Sequence, residues 1–396
     1  MRITDVRATI LQAPIPETSR VRSGVGLKYA RTSVFAEVLT DEGLTGLGTC
    51  LGNPPGALKS IIEDMIAPTL RGQDPFDTEG LWEMVYTGRI MRMTGPRSIG
   101  VGALSGVDTA LWDIKGKALG VPIYKLLGGA ARKKVRAYAS SIYWQAPETA
   151  AQEARRYVDA GYTCVKLKVG ADLRRDMDSV AAIRQAIGND VDLLVDANLC
   201  YTPKLALRVV RELESQNVFW FEEPIPFDDV EGHKMLTEAT SVRIATGENM
   251  YTRFGFRDLI NQRAADIVQP DIGRCGGITE AKKIATLAGA NGLLFVPHSF
   301  GDAVSQLSAL HIIASSPEAM IMEMDITYNP LRSELSGHLL DVRDGYIELP
   351  TEPGLGVALT QEIRERYPYK AGLDLSLGAS PALGMACEDL ADRNSP

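Results

Sequence analysis

The chain is 396 residues long, 45% hydrophobic and 23% charged, with 42 Lys+Arg against 50 Asp+Glu and a formal net charge of −8. At roughly 150 residues per domain this length allows two or three folding units and a large buried core, and it excludes a peptide-sized scaffold. The acidic balance without a basic tract argues against nucleic acid, and no stretch approaches the roughly 20 apolar residues of a membrane span, so neither nucleic acid nor a membrane is expected as a partner.

Five scattered cysteines (Cys50, Cys164, Cys200, Cys275, Cys387) make no disulfide framework. Residues 1–7 carry charge where a secretory signal needs an apolar run, so a cytoplasmic protein is expected.

In chain order, residues 1–130 read as an α+β module. Its signals are a strand over 33–39, a turn at Thr40-Asp41-Glu42-Gly43, another short strand, and a helical pattern over 103–119. Residues 14–31 form a Pro/Gly-interrupted loop carrying Arg20, Arg22, Lys28 and Tyr29, and residues 89–97 form a second loop with Arg92 and Met93. Gly128-Gly129 and Arg132-Lys133-Lys134 mark the passage to a second unit spanning 131–355. There, apolar or β-branched runs alternate with helical patterns, at 134–139, 163–169, 191–197, 218–223, 242–247, 266–270, 292–297 and 320–324.

Thr202-Pro203 supplies a cap and first-turn proline for a helix through Glu214, and Gly161 and Gly188 sit where the two preceding helices should end. An open doubly wound sheet fits this alternation, but eight similar units of about 28 residues favour a closed α/β barrel. Residues 356–396 end in a small-residue tail after about 371 that is expected to be partly mobile.

In a parallel barrel, chemistry projects from the C-terminal ends of the strands. The ionisable residues ending the runs are Lys166 and Lys168, Asp196, Glu222, Glu248, Asp271, His298 and Glu323, spaced from Lys168 onward by 28, 26, 26, 23, 27 and 25. That spacing is the period of the barrel. A single carboxylate after a strand most often caps the next helix, but Asp196, Glu222 and Glu248 in register would converge as hard oxygen ligands for a cation such as Mg²⁺. No His or Cys spacing beside them favours zinc.

Lys166 and Lys168 share one strand face, where mutual repulsion and desolvation should lower their pKa values and make a general base. The alternative is a solvated edge strand with Leu167 buried. Asp271 can hold one nitrogen of His298 and raise the basicity of the other, while His233, His311 and His338 read as surface or packing residues. Asn198, just past Asp196, and Arg20, Lys28 and Tyr29 on the cap loop are candidate substrate contacts. Cationic, hydrogen-bonding loops suit a polyhydroxylated acid.

These residues, with Leu104-Ser105-Gly106-Val107-Asp108-Thr109-Ala110-Leu111-Trp112-Asp113 ahead of Leu126-Leu127-Gly128-Gly129, resemble the enolase superfamily and, within it, the mandelate racemase subgroup, over most of the chain. The resemblance implies an N-terminal α+β capping domain, a modified TIM barrel of (β/α)7β form, and a C-terminal segment returning to the cap. It also implies that Asp196, Glu222 and Glu248 hold one Mg²⁺ per subunit, with Lys168 the base on one face and His298–Asp271 the acid/base pair on the other. Lys166 would polarise a substrate carboxylate and Glu323, protonated, would hydrogen-bond one of its oxygens. Removing a proton beside a carboxylate needs a cation and such donors to stabilise the enediolate.

The expected activity is therefore a Mg²⁺-dependent acid-sugar dehydratase, a hydro-lyase that converts an aldonate or aldarate to a 2-keto-3-deoxy acid. The alternatives are an epimerase or racemase, or a sugar-lactone cycloisomerase using the same half-reaction. From other classes come a Schiff-base lyase built on Lys168 and a non-catalytic paralogue. The partner is a small acid sugar or lactone, and a homo-oligomer is expected on general grounds.

Overall fold

A computed structural model of the chain describes residues 1–23 and 26–372. The tail expected to be mobile lies, from residue 373 on, outside the described residues. Each run marked in the second unit contains a strand: Lys134–Ile142, Cys164–Lys168, Asp192–Asp196, Val218–Glu222, Arg243–Thr246, Ile267–Val268, Leu294–Phe295 and Met322–Met324. They pair in parallel in chain order, and the eighth returns to the first through Met322↔Ala137 and Met324↔Ala139. Seventh and eighth meet at Phe295↔Ala319, which closes the cylinder.

A helix follows each of the first seven strands, from Pro147–Asp159 to Ala303–Ser315, whereas the eighth leads into the short helix Pro330–Ser336 and then the returning segment, giving the (β/α)7β form. The local signals act as their chemistry requires. The Thr202 hydroxyl accepts from Leu205 N at 3.4 Å and Pro203 opens the helix, while Gly188 ends its helix at φ +74°.

Period-two alternation sorts the strand residues into two layers. Tyr138, Cys164, Leu194, Trp220, Ala245, Ile267, Val296 and Ile321, one per strand, pack inside the barrel. Val165, Leu167, Val195, Phe221 and Ile244 point the other way, into the layer under the helices. Cys164, Lys166 and Lys168 therefore share the inner face, and the inner plug of apolar side chains forms a floor beneath the charged residues at the strand ends.

The cap is a three-stranded antiparallel sheet, Ile3–Pro14, Ala30–Thr40 and Thr45–Cys50, backed by the helix Ile99–Leu119. The first strand was not anticipated. Its buried positions do not alternate, because Ile3, Val6 and Ala8 pack into the cap core while Leu11 and Ala13 pack into the barrel's outer layer. The long helix starts four residues before its apolar pattern, where Ser98 caps it by accepting from Gly100 N. Residues 89–97 are not the expected loop: they are helical through Met93, and Arg97 pairs with Asp258 of the fifth barrel helix at 3.6 Å.

The chain after the barrel returns to the cap, with Gln12 N donating to Tyr367 O at 2.9 Å and Arg364 pairing with Glu37. Among the described residues no helix is long and apolar enough to cross a membrane.

Strand Thr45–Cys50 lies against the long helix at backbone contact. A Cβ at Gly48 would sit 1.8 Å from Gly106 O, and one at Gly46 2.0 Å from Ala110 O. Overpacking that backbone cannot relieve typically costs about 1–3 kcal/mol or more. Gly48→Ala should lower the denaturant midpoint accordingly, whereas Gly80→Ala, in an exposed helical position with open space around it, should raise stability by about 0.4–1 kcal/mol. Equal midpoints for the two variants would contradict this packing.

Candidate active site

Register builds the site. Lys168 is the Cα partner of Asp196, and Asp196 of Glu222, so three consecutive strands present their last inward residues at one level. Asp271 and His298 face each other in a parallel bridge on the sixth and seventh strand ends. Carboxylate oxygens of Asp196, Glu222 and Glu248 all lie within 4.8 Å of one another, the convergence expected from the sequence.

Lys166 is 1% exposed and sits at the centre of the acids. Its Nζ donates to Glu222 Oε1 at 2.6 Å and Glu323 Oε1 at 2.8 Å, and lies 3.4 Å from Asp196 Oδ2. Lys168 Nζ donates to Asp196 Oδ2, whose other oxygen accepts from Asn198 N at 2.9 Å. His298 Nδ1 donates to Asp271 Oδ2 at 2.6 Å, and its Nε2 is 3.5 Å from Glu248 Oε2 and 3.9 Å from Glu323 Oε2. Lys168 thus touches the carboxylate row at Asp196 and His298 touches it at Glu248, its other end.

Two expectations change. Burial pulls both lysines down and they repel each other, but the acids dominate: Asp196 beside Lys168, and Glu222 and Glu323 beside Lys166, hold both ammonium groups above the ordinary lysine value. Neither is poised as a free amine here, because each is committed to a carboxylate. Glu323 is not a protonated donor either. Its Oε1 accepts from Ser140 Oγ at 2.7 Å as well as from Lys166, and its Oε2 accepts from Ser299 N at 2.9 Å. Burial pushes Glu323 up, but Lys166, His298 and Lys168 more than offset it and keep it ionised.

His298 follows the expected direction. Burial opposes its protonation, yet Glu248, Glu323 and Asp271 together raise its pKa to about 10.

The cap candidates divide. Lys28 lies over the ring of Phe300, two residues past His298, at 5.3 Å, so the loop reaches the barrel mouth. Arg20 instead lies over the Tyr29 ring at 5.0 Å and pairs with Glu17 at 4.0 Å, contacts within the loop itself. Asn198 stands at the mouth in a left-handed conformation (φ +44°) with a buried, unpartnered Oδ1. His233 and His311 are buried packing residues and His338 is exposed.

Sequence reasoning missed Ser140, which the inward period of the first strand, Tyr138 then Ser140, would have found. It also missed Trp220, whose Nε1 donates to Glu222 Oε2 at 3.0 Å, and Arg31, which reaches from the cap to Tyr328 O at 3.2 Å and to Thr327 Oγ1.

Residues 149–363 match the family model described as enolase C-terminal domain-like, and residues 6–128 match that of the mandelate racemase / muconate lactonizing enzyme N-terminal domain. The chain belongs to the enolase superfamily, in its mandelate racemase subgroup. It is 34% identical to the D-galactarolactone cycloisomerase of Agrobacterium fabrum, over 91% of this chain and 97% of that one. It is 37% identical to the arabinonate dehydratase of Saccharolobus solfataricus, over 85% and 91%. A solved structure of a mandelate racemase candidate from Bordetella bronchiseptica RB50 superposes with a TM-score of 0.92 at 44% identity, covering 96% of this chain and 97% of that one. This member of the superfamily is an enzyme with the superfamily's capped, modified barrel.

The trio can hold a metal, and its donors fit a hard divalent ion. Burial above all pushes Glu222 up to about 8; Lys166 opposes the shift, and the charges of Asp196 and Glu323 add to it. Five acids in this contact network (Asp196, Glu222, Glu248, Asp271, Glu323) face Lys166, Lys168 and His298, which leaves an excess of two negative charges at full ionisation. Added Mg²⁺ should therefore raise the thermal midpoint, by mass action about 2.7 kcal/mol at a hundredfold excess over Kd. Asp196→Asn and Glu222→Gln should abolish that Mg²⁺-dependent shift. A shift of full size in both variants would place the ion elsewhere.

Proposed function

We propose that the chain is a Mg²⁺-dependent acid-sugar dehydratase, acting on an aldonate or aldarate to give a 2-keto-3-deoxy acid. The observation that carries this reading is the placement of two proton-handling groups, Lys168 and His298, at opposite ends of one carboxylate row. The relative named arabinonate dehydratase supports the substrate class.

Asp196, Glu222 and Glu248 are the residues that would hold the ion. Bound there, Mg²⁺ supplies positive charge that stabilises a developing enediolate and competes with Lys168 for Asp196. Lys166, fixed between Glu222 and Glu323, keeps a buried positive charge beside the acid row that would help stabilise negative charge developing on the substrate carboxylate. Lys168 or His298, according to the configuration at C2, takes the α-proton in its unprotonated form, which a cation held by Asp196, Glu222 and Glu248 would favour by offsetting the negative charge that keeps both groups protonated. As the C3–O bond breaks, its electron pair leaves with the hydroxyl, which gains a proton from His298 and departs as water, and the enol tautomerises to the 2-keto acid. Asp271 holds the His298 ring by Nδ1 so that Nε2 faces the row.

A second reading is favoured by one observation, the coverage of 91% and 97% with the relative named a galactarolactone cycloisomerase. In that version the leaving oxygen is the ring oxygen of a lactone and stays in the product. A Schiff-base lyase finds no support in the relatives, which are named as dehydratases and a cycloisomerase.

A library of mono- and diacid sugars and their lactones, incubated with Mg²⁺ and assayed for 2-keto acids, tests the proposal. Mass spectrometry separates loss of one water from an unchanged mass, and solvent deuterium appearing at C2 would exclude a non-catalytic paralogue. Lys168→Ala and His298→Asn should each reduce kcat on the identified substrate by about 10²–10⁴-fold. Unchanged turnover in both variants would sink the two-base mechanism, and a borohydride-trapped adduct formed in EDTA would favour the lyase.

A further inference from the structure

The second glutamate of the Phe221-Glu222-Glu223-Pro224 segment takes no part in the chemistry above, yet it is fully buried and its side chain does not enter the carboxylate row. Its backbone is left-handed at φ +43°, a conformation that a non-glycine residue holds only when its surroundings enforce it. That turn directs the side chain toward the loop of the next strand. Glu223 Oε1 accepts from Thr246 Oγ1 and from Gly247 N at 3.0 Å, and its Oε2 accepts from Asn249 Nδ2 at 3.0 Å. All three donors flank Glu248.

Its main chain works in both directions. Glu223 N donates to Ala245 O at 2.9 Å, and its carbonyl accepts from Leu199 N at 2.8 Å, in the loop that follows Asp196. One residue therefore adjoins Glu222 covalently, ties the loop after Asp196 through its carbonyl, and brackets Glu248 through its carboxylate. Gly247 completes the bracket: at φ +130° a Cβ there would lie 2.7 Å from Phe256, so a side chain does not fit the turn as it stands.

We infer that Glu223 is a positioning residue that sets the mutual geometry of Asp196, Glu222 and Glu248, and through it the affinity of the site for a divalent cation. The inference rests on the proposed metal role of the trio. Mg²⁺ tolerates little departure from octahedral geometry, and groups that orient ligands without touching the ion typically change affinity about 10–100-fold when removed. Glu248 is the ligand most dependent on this support: it is 17% exposed and follows a short strand that ends at Thr246.

Binding of Mn²⁺ to the full-length protein, followed by the electron paramagnetic resonance signal of the free ion, reads this directly. Glu223→Ala should weaken Mn²⁺ binding by about tenfold or more, and raising Mg²⁺ should restore its turnover on the identified substrate. Glu223→Gln keeps the same shape: its carbonyl oxygen can accept from Thr246 and Gly247, and a rotated Asn249 amide can accept from its nitrogen. It should bind Mn²⁺ within about threefold of the unaltered protein if hydrogen-bonded placement, not charge, is what matters.

Wild-type affinity in Glu223→Ala, or a Glu223→Gln variant as weak as Glu223→Ala, would overturn the inference. Should Glu223→Ala fail to fold, Asn249→Ala removes a single donor from the bracket, and wild-type affinity in that variant would overturn it equally. An unaltered protein that bound no Mn²⁺ would overturn the metal reading itself and this inference with it.

Discussion

The rest of the site depends on how buried charge is balanced at one end of the barrel. Carboxylates removed from water are costly unless they are paired and hydrogen-bonded, and Asp196, Glu222 and Glu323 are each essentially inaccessible. Lys166 makes this possible by contacting all three, at 2.6, 2.8 and 3.4 Å. Neutral donors finish the work: Trp220 on Glu222, Ser140 and Ser299 on Glu323, and the Asn198 amide on Asp196. The remaining imbalance is negative and lies where the row is most open, at Glu248. That excess is what a cation held by the trio would offset.

The cap completes the mouth by meeting it from two sides. On one side Leu51 N donates to Gly273 O at 2.8 Å and Thr49 Oγ1 to Asp302 Oδ2 at 2.8 Å, docking the cap sheet beside the sixth and seventh strand ends. On the other, Arg31 lies over Phe300 at 5.1 Å and binds the turn at 327–328, whose Thr327 N and Oγ1 both donate to Asp325. The described part of the cap loop, residues 15–23 and 26–29, thus adjoins the Arg31 anchor and reaches Phe300 through Lys28. A seam between two units is where small-ligand sites are commonly built, because each unit can be rigid while the wall between them varies.

The barrel was legible because its signal is redundant. Eight strands repeat one pattern, so imprecise strand ends do not matter, and a functional residue at each end shares the repeat. Position alone was enough to expect Asp196, Glu222, Glu248, Asp271 and His298 at one mouth, where the structure brings the three acids together and His298 onto Asp271. What position does not encode is charge state. Lys166 and Lys168 were expected to lose protons to repulsion and burial, an argument that counts the two lysines and omits the acids that the parallel register places beside them. The same omission made Glu323 a donor when three neighbours donate to it. Ile3–Pro14 was illegible for another reason: it serves two cores along one strand, so no single period describes it. Arg20 and Tyr29 were expected over the site from composition; in the structure Arg20 lies over the Tyr29 ring and pairs with Glu17, three residues before it, within the loop.

The division of labour between barrel and cap bears on the proposed reaction. Abstraction of the α-proton and stabilisation of the resulting charge need only groups that stand on strand ends, held by register and by the apolar floor beneath them. These elements are rigid, so that half-reaction is set by the part of the fold least able to drift. The choice of leaving group needs recognition of atoms farther from the carboxylate, and the Lys28–Phe300 contact, where the cap loop meets the barrel, is where such recognition would be built. Loops can change there without disturbing Lys166 or the acid row. A dehydratase and a lactone cycloisomerase would then differ in what the cap holds in line with His298, not in how the proton is removed, and relatives with both names resemble this chain over most of its length.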